Sequence, residues 1–214
     1  MDTPRLRMVE GRIYTLDLEG GRSVYGEPIV ELEGRKYREW VPWRSKLSAL
    51  MKKIGPFKLP EGSVLYLGAA QGTTVSHVSD LLPDGVIFAV EVSKTAFNSL
   101  EALAGRRTNV VPVLEDAFYP ERYSTMVGRV DLLYQDVSQK EQVVMFLRNA
   151  DRMLKKGARG ILMLKARSVD VTADPRSIYS RARSMLENGG YAVENVVDLS
   201  PFQADHAAIL VRRD

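Results

Sequence analysis

From Ser63 onward, short apolar runs alternate with helix-length stretches, and that alternation restricts the chain to few architectures. Strand-like runs fall at 63–67, 86–90, 109–114, 130–135, 159–165, 191–197 and 206–212. Helix-like runs fall at 73–82, 94–104, 140–155 and 175–188. Strands joined by helices at this spacing build βαβ units, so an α/β fold is expected, with a mostly parallel sheet and helices on both faces. Only the loop Asp198 to Asp205 separates the last two strand runs, which predicts an antiparallel pair at one edge. There is no internal repeat and no low-complexity segment.

Residues 1–42 read differently. The runs Arg7–Val9, Arg12–Leu16, Pro28–Leu32 and Lys36–Trp40 are short and β-rich, and Gly11, Gly20, Gly21, Gly26 and Gly34 separate them. The spacing predicts a small antiparallel β unit, too small for a strong core of its own and expected to pack on residues 43–214. Pro42 breaks this pattern. Arg44 to Ile54 reads as an amphipathic helix that stops at Gly55-Pro56.

The first βα unit carries the strongest chemical signal. The apolar run Val64 to Leu67 enters a turn of small residues, Gly68-Ala69-Ala70-Gln71-Gly72, and a helix-like stretch follows. About twenty residues later the next strand run ends in an acid, Glu91. Small residues admit a ligand close to the backbone, and the acid is placed to accept hydrogen bonds from a ribose. The turn lacks the Gly-x-Gly-x-x-Gly pattern and has no basic side chain for a pyrophosphate. A cofactor with a ribose and no phosphate fits it, and S-adenosylmethionine is the leading candidate. A plain βα turn is the alternative.

Bulk properties narrow the rest. The 214 residues suffice for one good core plus a small unit. The absence of cysteine excludes disulfides, thiolate zinc sites and thiol catalysis, and the two histidines make a histidine-rich metal site unexpected. No run is long and apolar enough to span a membrane, and no signal-peptide pattern opens the chain, so a cytoplasmic location is expected. A net charge of +3 permits nucleic acid as a partner but gives no dense basic stripe. If RNA is the substrate, other subunits should carry much of the binding.

Ligands of such sheets lie beyond the carboxyl ends of the strands. Polar groups follow the apolar runs there: Gly68, Glu91, Asp116, Asp136 to Gln139, and Lys165 to Arg167, while Asp205-His206 opens the final strand. An isolated strand-end acid is often only a helix cap. Lys165 is more telling. It follows Ile161-Leu162-Met163-Leu164, and a lysine there either snorkels out at the sheet edge or costs desolvation unless it has an anionic partner. Asp136, on the neighbouring strand, is the expected one. His77 reads as a packing or surface residue. Arg148, Arg152, Lys155 and Lys156 read as a helix end favoured by the dipole.

Six segments in order resemble the fibrillarin family, specifically its archaeal RNA 2′-O-methyltransferases. They are Arg44 to Leu47, Gly68 to His77, Ala89 to Glu91, Tyr134 to Gln139, Lys165 to Ser168 and Asp205 to Ala207. The family usually has serine at Gln71, an aromatic at Val92 and alanine at Ser138. The resemblance implies a class I methyltransferase fold, Rossmann-like with a seven-stranded mostly parallel sheet, behind the small β unit. It implies cofactor contacts from Gly68, Ala69, Gly72, Thr73, Thr74, Glu91, Val92, Asp116, Ala117, Asp136, Val137, Ser138 and Gln139. It also implies a catalytic set of Lys46, Asp136, Lys165 and His206.

The implied reaction moves a methyl group from S-adenosylmethionine to a ribose 2′-hydroxyl of rRNA or tRNA. The resemblance further implies a box C/D guide RNA, a coiled-coil scaffold protein and a kink-turn RNA-binding protein as partners. Arg167, beside the active strand end, is the candidate for an RNA phosphate. Arg5, Arg7, Arg12 and Arg22 fit a solvated face better. Two other readings stand beside this one. The first is a non-catalytic scaffold subunit, against which the intact four-residue set argues. The second is a methyltransferase for proteins or small molecules; a small-molecule enzyme would need a lid that the chain does not show.

Overall fold

The computed structural model describes residues 3–214; the first two residues of the N-terminal unit lie outside it. The chain opens with β1 (Leu6–Val9), β2 (Arg12–Leu16), β3 (Ile29–Leu32) and β4 (Arg35–Glu39), which form an antiparallel sheet in the order β1-β2-β4-β3. Helix α1 (Lys46–Ile54) follows, capped by the side chain of Ser45. Then come β5 (Ser63–Leu67), α2 (Thr73–Leu81), β6 (Val86–Glu91), α3 (Lys94–Ala104) and β7 (Val110–Leu114). A short 3₁₀ turn and α4 (Ser124–Val127) lead into β8 (Val130–Gln135), α5 (Gln142–Met153) and β9 (Leu154–Lys165). The chain ends with α6 (Ala166–Val169), α7 (Pro175–Asn188), β10 (Tyr191–Asp198) and β11 (His206–Arg213).

The large sheet runs β10-β11-β9-β8-β5-β6-β7. The five strands from β5 to β9 are parallel, and β11 and β10 are antiparallel additions. From β5 the chain steps outward to β6 and β7, then returns to the other side of β5 as β8. That reversal opens a crevice between the carboxyl ends of β5 and β8.

Strand alternation sorts the core into two layers. Leu65, Leu67, Leu133, Leu162 and Leu164 pack with α5 and α7 on one face. Val64, Tyr66, Leu132, Tyr134, Ile161 and Met163 pack with α1, α2 and α3 on the other. The small sheet joins the second layer through Leu6, Ile13 and Trp40. It is also held by a buried polar network. Arg38 donates to Glu27 Oε1 at 2.6 Å, to Asp80 Oδ2 at 2.7 Å and to Ser76 Oγ at 2.9 Å. Arg107 donates to the other oxygen of Asp80 at 2.7 Å and to Glu19 at 2.7 Å. Fully buried charges persist only when paired and hydrogen-bonded in this way.

One expectation needs correction. The helix predicted over 140–155 ends at Met153, because Leu154 turns to an extended conformation and pairs with Val130. Lys155 and Lys156 therefore lie on β9, outside the reach of a helix dipole, and Lys155 pairs with Asp131 at 2.7 Å. The antiparallel pair expected at one edge is present: β10 is outermost, and the final strand is β11. It lies between β10 and β9, so its first residue, His206, faces Lys165 in register.

Candidate active site

The glycine-rich turn after β5 is held against its neighbours by main-chain bonds. Gly68 and Ala69 N–H groups both donate to the Val90 carbonyl at 3.0 Å, and Asp136 N–H donates to the Leu67 carbonyl at 2.8 Å. Gly68 has φ +80°, and a Cβ there would sit 2.3 Å from the Asp136 carbonyl oxygen. Only glycine allows the ends of β5 and β8 to approach so closely. Glu91 is buried beside this turn. One carboxylate oxygen accepts from Ala70 N–H at 2.7 Å and the other from Ser93 N–H at 2.8 Å. Each oxygen keeps a further lone pair for a ligand.

The residues expected to hold a cofactor gather around this crevice, with differences in detail. Val92, Ser138 and Gln139 are exposed at the ends of β6 and β8, Val137 is half-buried and Ala117 is buried. Gly72 precedes Thr73, the first residue of α2. Thr74 faces inward instead: its hydroxyl donates to Ser45 Oγ at 3.0 Å, which ties α2 to the cap of α1. Asp116 accepts from Phe118 N–H at 2.8 Å, so one oxygen closes a local turn and the other remains for a ligand. The small cradle, the buried Glu91 carboxylate and the lack of basic side chains suit a ribose-bearing cofactor without phosphates.

The four residues expected to act on substrate lie on one face. Asp136 shares strand parity with Tyr134, Lys165 with Met163, and His206 with Ala208, all on the α1 layer. Lys46, the first residue of α1, reaches across and meets Asp136 at 2.8 Å. This corrects the expected Asp136–Lys165 pair. Among the described residues no carboxylate lies within the 4.0 Å ion-pair distance of Lys165. Lys46 opens α1 on the sheet face that Asp136 shares, and its ammonium takes the carboxylate.

His206 opposes Lys165, and the main-chain groups of Lys165 point away from β11, so the two form a non-hydrogen-bonded pair with close side chains. The imidazole Nδ1 lies 2.6 Å from the Ala204 carbonyl and must carry the proton, which leaves Nε2 as an acceptor. Burial pushes the His206 pKa down; the Ala204 hydrogen bond and Asp136 oppose that shift, while Lys46 and Lys165 reinforce it. The ring is therefore neutral at pH 7.

Arg167 is exposed and pairs with Asp205 at 3.2 Å, so its charge is already partly answered by the protein. Arg5, Arg7 and Arg12 pair with Asp84, Glu33 and Glu39 at the surface of the small sheet. His77 is fully buried and stacks on Trp40 with 5.0 Å between ring centres.

Two residues with no role assigned from sequence prove central. Ser45 caps α1 and holds Thr74. Gln142 binds the main chain of Lys165. Gln142 had one legible signal. It stands three and four residues before Met145 and Phe146, on the buried face of α5, where a polar side chain needs a partner.

The fibrillarin family profile matches residues 5–214. The chain belongs to the fibrillarin family. A fibrillarin-like rRNA/tRNA 2′-O-methyltransferase from Methanothermobacter thermautotrophicus is 42% identical over 209 residues, 97% of this chain and 93% of the relative. The Aeropyrum pernix fibrillarin, solved with natively bound S-adenosyl-L-methionine, superposes with a TM-score of 0.86 at 43% identity, covering 96% of this chain and 92% of that one. A fibrillarin solved in complex with Nop5p gives 0.90 at 40% identity, covering 98% of each chain. The chain therefore has the class I methyltransferase fold expected from its sequence.

Proposed function

We propose that this protein transfers a methyl group from S-adenosylmethionine to a ribose 2′-hydroxyl of rRNA or tRNA, as the catalytic subunit of a box C/D guide-RNA particle. The observation that carries the reading is the placement of Lys46, Asp136, Lys165 and His206 on one face, one strand from the Gly68–Glu91 cradle. Gly68, Ala69, Gly72, Thr73, Glu91, Asp116 and Ser138 would hold the cofactor. When bound, it supplies an electrophilic methyl on a sulfonium, itself a good leaving group.

The protein's work is then on the nucleophile. A ribose hydroxyl is a poor nucleophile at neutral pH and must be held in line while negative charge develops on its oxygen. Lys46 neutralises Asp136, so the Lys165 amine remains available to contact the 2′ oxygen. The bare Nε2 of His206 adds a proton acceptor on the same face. The chain offers no separate RNA-binding module, which agrees with a particle in which a guide RNA, a coiled-coil scaffold and a kink-turn protein present the target. The relative bound to Nop5p supports a protein partner of the scaffold type.

The test is transfer of labelled methyl to a guide-matched RNA by the reconstituted particle, with Lys165→Ala in parallel. One methylated ribose, lost with a mismatched guide and reduced at least about 100-fold by the substitution, is the expected result. Assembly and cofactor binding without transfer would support a scaffold subunit instead.

A further inference from the structure

β8 ends at Gln135, whose register partner on β9 is Leu162. Met163, Leu164 and Lys165 thus run past the end of their neighbour. On the β11 side, the Ala166 N–H donates to the Asp205 carbonyl. The Lys165 N–H and C=O, which share one side of the strand, therefore face the gap beyond β8.

The carboxamide of Gln142, first residue of α5, fills that gap. Lys165 N–H donates to its Oε1 at 2.9 Å, and its Nε2 donates to the Lys165 carbonyl at 3.1 Å. The side chain does there what the next peptide group of β8 would do. The amide orientation is determined, because a flipped group would lose both bonds. The Gln142 carbonyl in turn accepts from Gln135 Nε2 at 2.7 Å, and Gln135 directly precedes Asp136. Both glutamines are fully buried. The result is a hydrogen-bonded chain from the residue before Asp136 to the backbone of Lys165, made on the sheet face opposite the reacting groups.

We infer that Gln142 is a positioning residue for methyl transfer: its clamp on the Lys165 backbone sets the distance from the lysine to Asp136 and to the 2′ oxygen. The inference rests on the reading of Lys165 as the residue that holds that oxygen.

Two variants in the reconstituted particle test it, with the wild type as control. Gln142→Met fills the same volume without either hydrogen bond. Its kcat at saturating cofactor and RNA should fall about 10- to 100-fold, since small misplacements of a reacting group have effects of that size. The Kd for S-adenosylmethionine should stay near the wild-type value, and the Lys165 amide should exchange hydrogen faster.

Gln142→Glu separates positioning from bulk stability. A protonated carboxyl reproduces the donor–acceptor pair, whereas an ionised one sets an oxygen against the Lys165 carbonyl. Its rate relative to wild type should therefore rise as pH falls, while the ratio for Gln142→Met stays flat. An active wild type with full kcat in Gln142→Met overturns the inference alone. So does a loss that tracks cofactor binding or unfolding, with no recovery of Gln142→Glu at low pH. A wild-type particle that binds cofactor but transfers no methyl overturns the functional reading, and this inference with it.

Discussion

Lys165 sits at the end of a buried strand with no carboxylate in ion-pair contact among the described residues, and His206 faces it with one bare nitrogen. Under the proposed mechanism, both groups are useful only while the imidazole is neutral. Burial and the two nearby lysines lower the His206 pKa below its ordinary 6.5, against the pull of the Ala204 carbonyl and Asp136. The sign follows directly: the neutral form persists at pH 6.5 and is lost as pH falls through the depressed value. The rate should hold to lower pH than a free histidine would allow. His206→Gln should lower kcat and remove that part of the acid limb, as read from single-turnover rates across pH. An unchanged acid limb would show that His206 does not titrate in the reaction.

At the scale of elements, the site depends on how closely β5 and β8 approach. Gly68→Ala would place a methyl 2.3 Å from a main-chain oxygen at φ +80°. Backbone there cannot move without displacing Asp136, so we expect a loss of about 2 kcal/mol or more from the strained conformation and its clash. Cofactor binding should weaken with it, and calorimetry of unfolding and of S-adenosylmethionine binding on one sample will show both. Gly72→Ala, also at a positive φ (+90°) in the cofactor turn, lacks that main-chain clash. Its Cβ would meet the Leu103 side chain at 2.6 Å, a clash that rotamer change can relieve in part. If the two variants bind cofactor equally well, the β5–β8 contact is not what shapes the site.

The elements themselves were largely legible. Apolar runs with turn residues between them placed every strand of the large sheet, because the periods of strand and helix are local properties of the chain. The boundary after α5 was misplaced because Lys155 and Lys156 look alike as a helix end and as an exposed strand start.

At the scale of the molecule, the small sheet is fastened to α2, the helix that starts at the cofactor turn. Arg38 bridges Glu27 and Asp80 with all three side chains buried from solvent. Arg38→Met would leave two carboxylates without that partner, and a cost of about 3–5 kcal/mol is expected for breaking a buried pair from one side. An unfolding free energy from urea titration within about 0.5 kcal/mol of wild type would show that the network contributes little.

The same interface carries an acid-sensitive group. Thr15 donates its hydroxyl proton to Asp80, so His77 Nδ1 donates to Thr15 and Nε2 accepts from Tyr25. Burial, with Arg38 and Arg107 nearby, holds the His77 pKa well below its ordinary 6.5. The unfolded chain binds that proton first, so stability is complete above pH 6.5 and declines below it, by up to about 1.4 kcal/mol per pH unit. His77→Gln should be less stable at pH 7 but should show a shallower decline on acidification.

Element types, the two sheets, the cofactor turn and the set Lys46, Asp136, Lys165 and His206 were legible along the chain. These follow from side-chain period, turn chemistry and the resemblance carried by short segments. The pairings among these residues came from the fold. Lys46 takes Asp136 from 90 residues away because α1 packs on the sheet face that Asp136 shares. His206 faces Lys165 because β11 inserts between β10 and β9. Gln142 holds Lys165 because β8 stops short of β9's end. Each depends on strand order and on where neighbouring strands end, and neither is encoded in the spacing of residues along one strand.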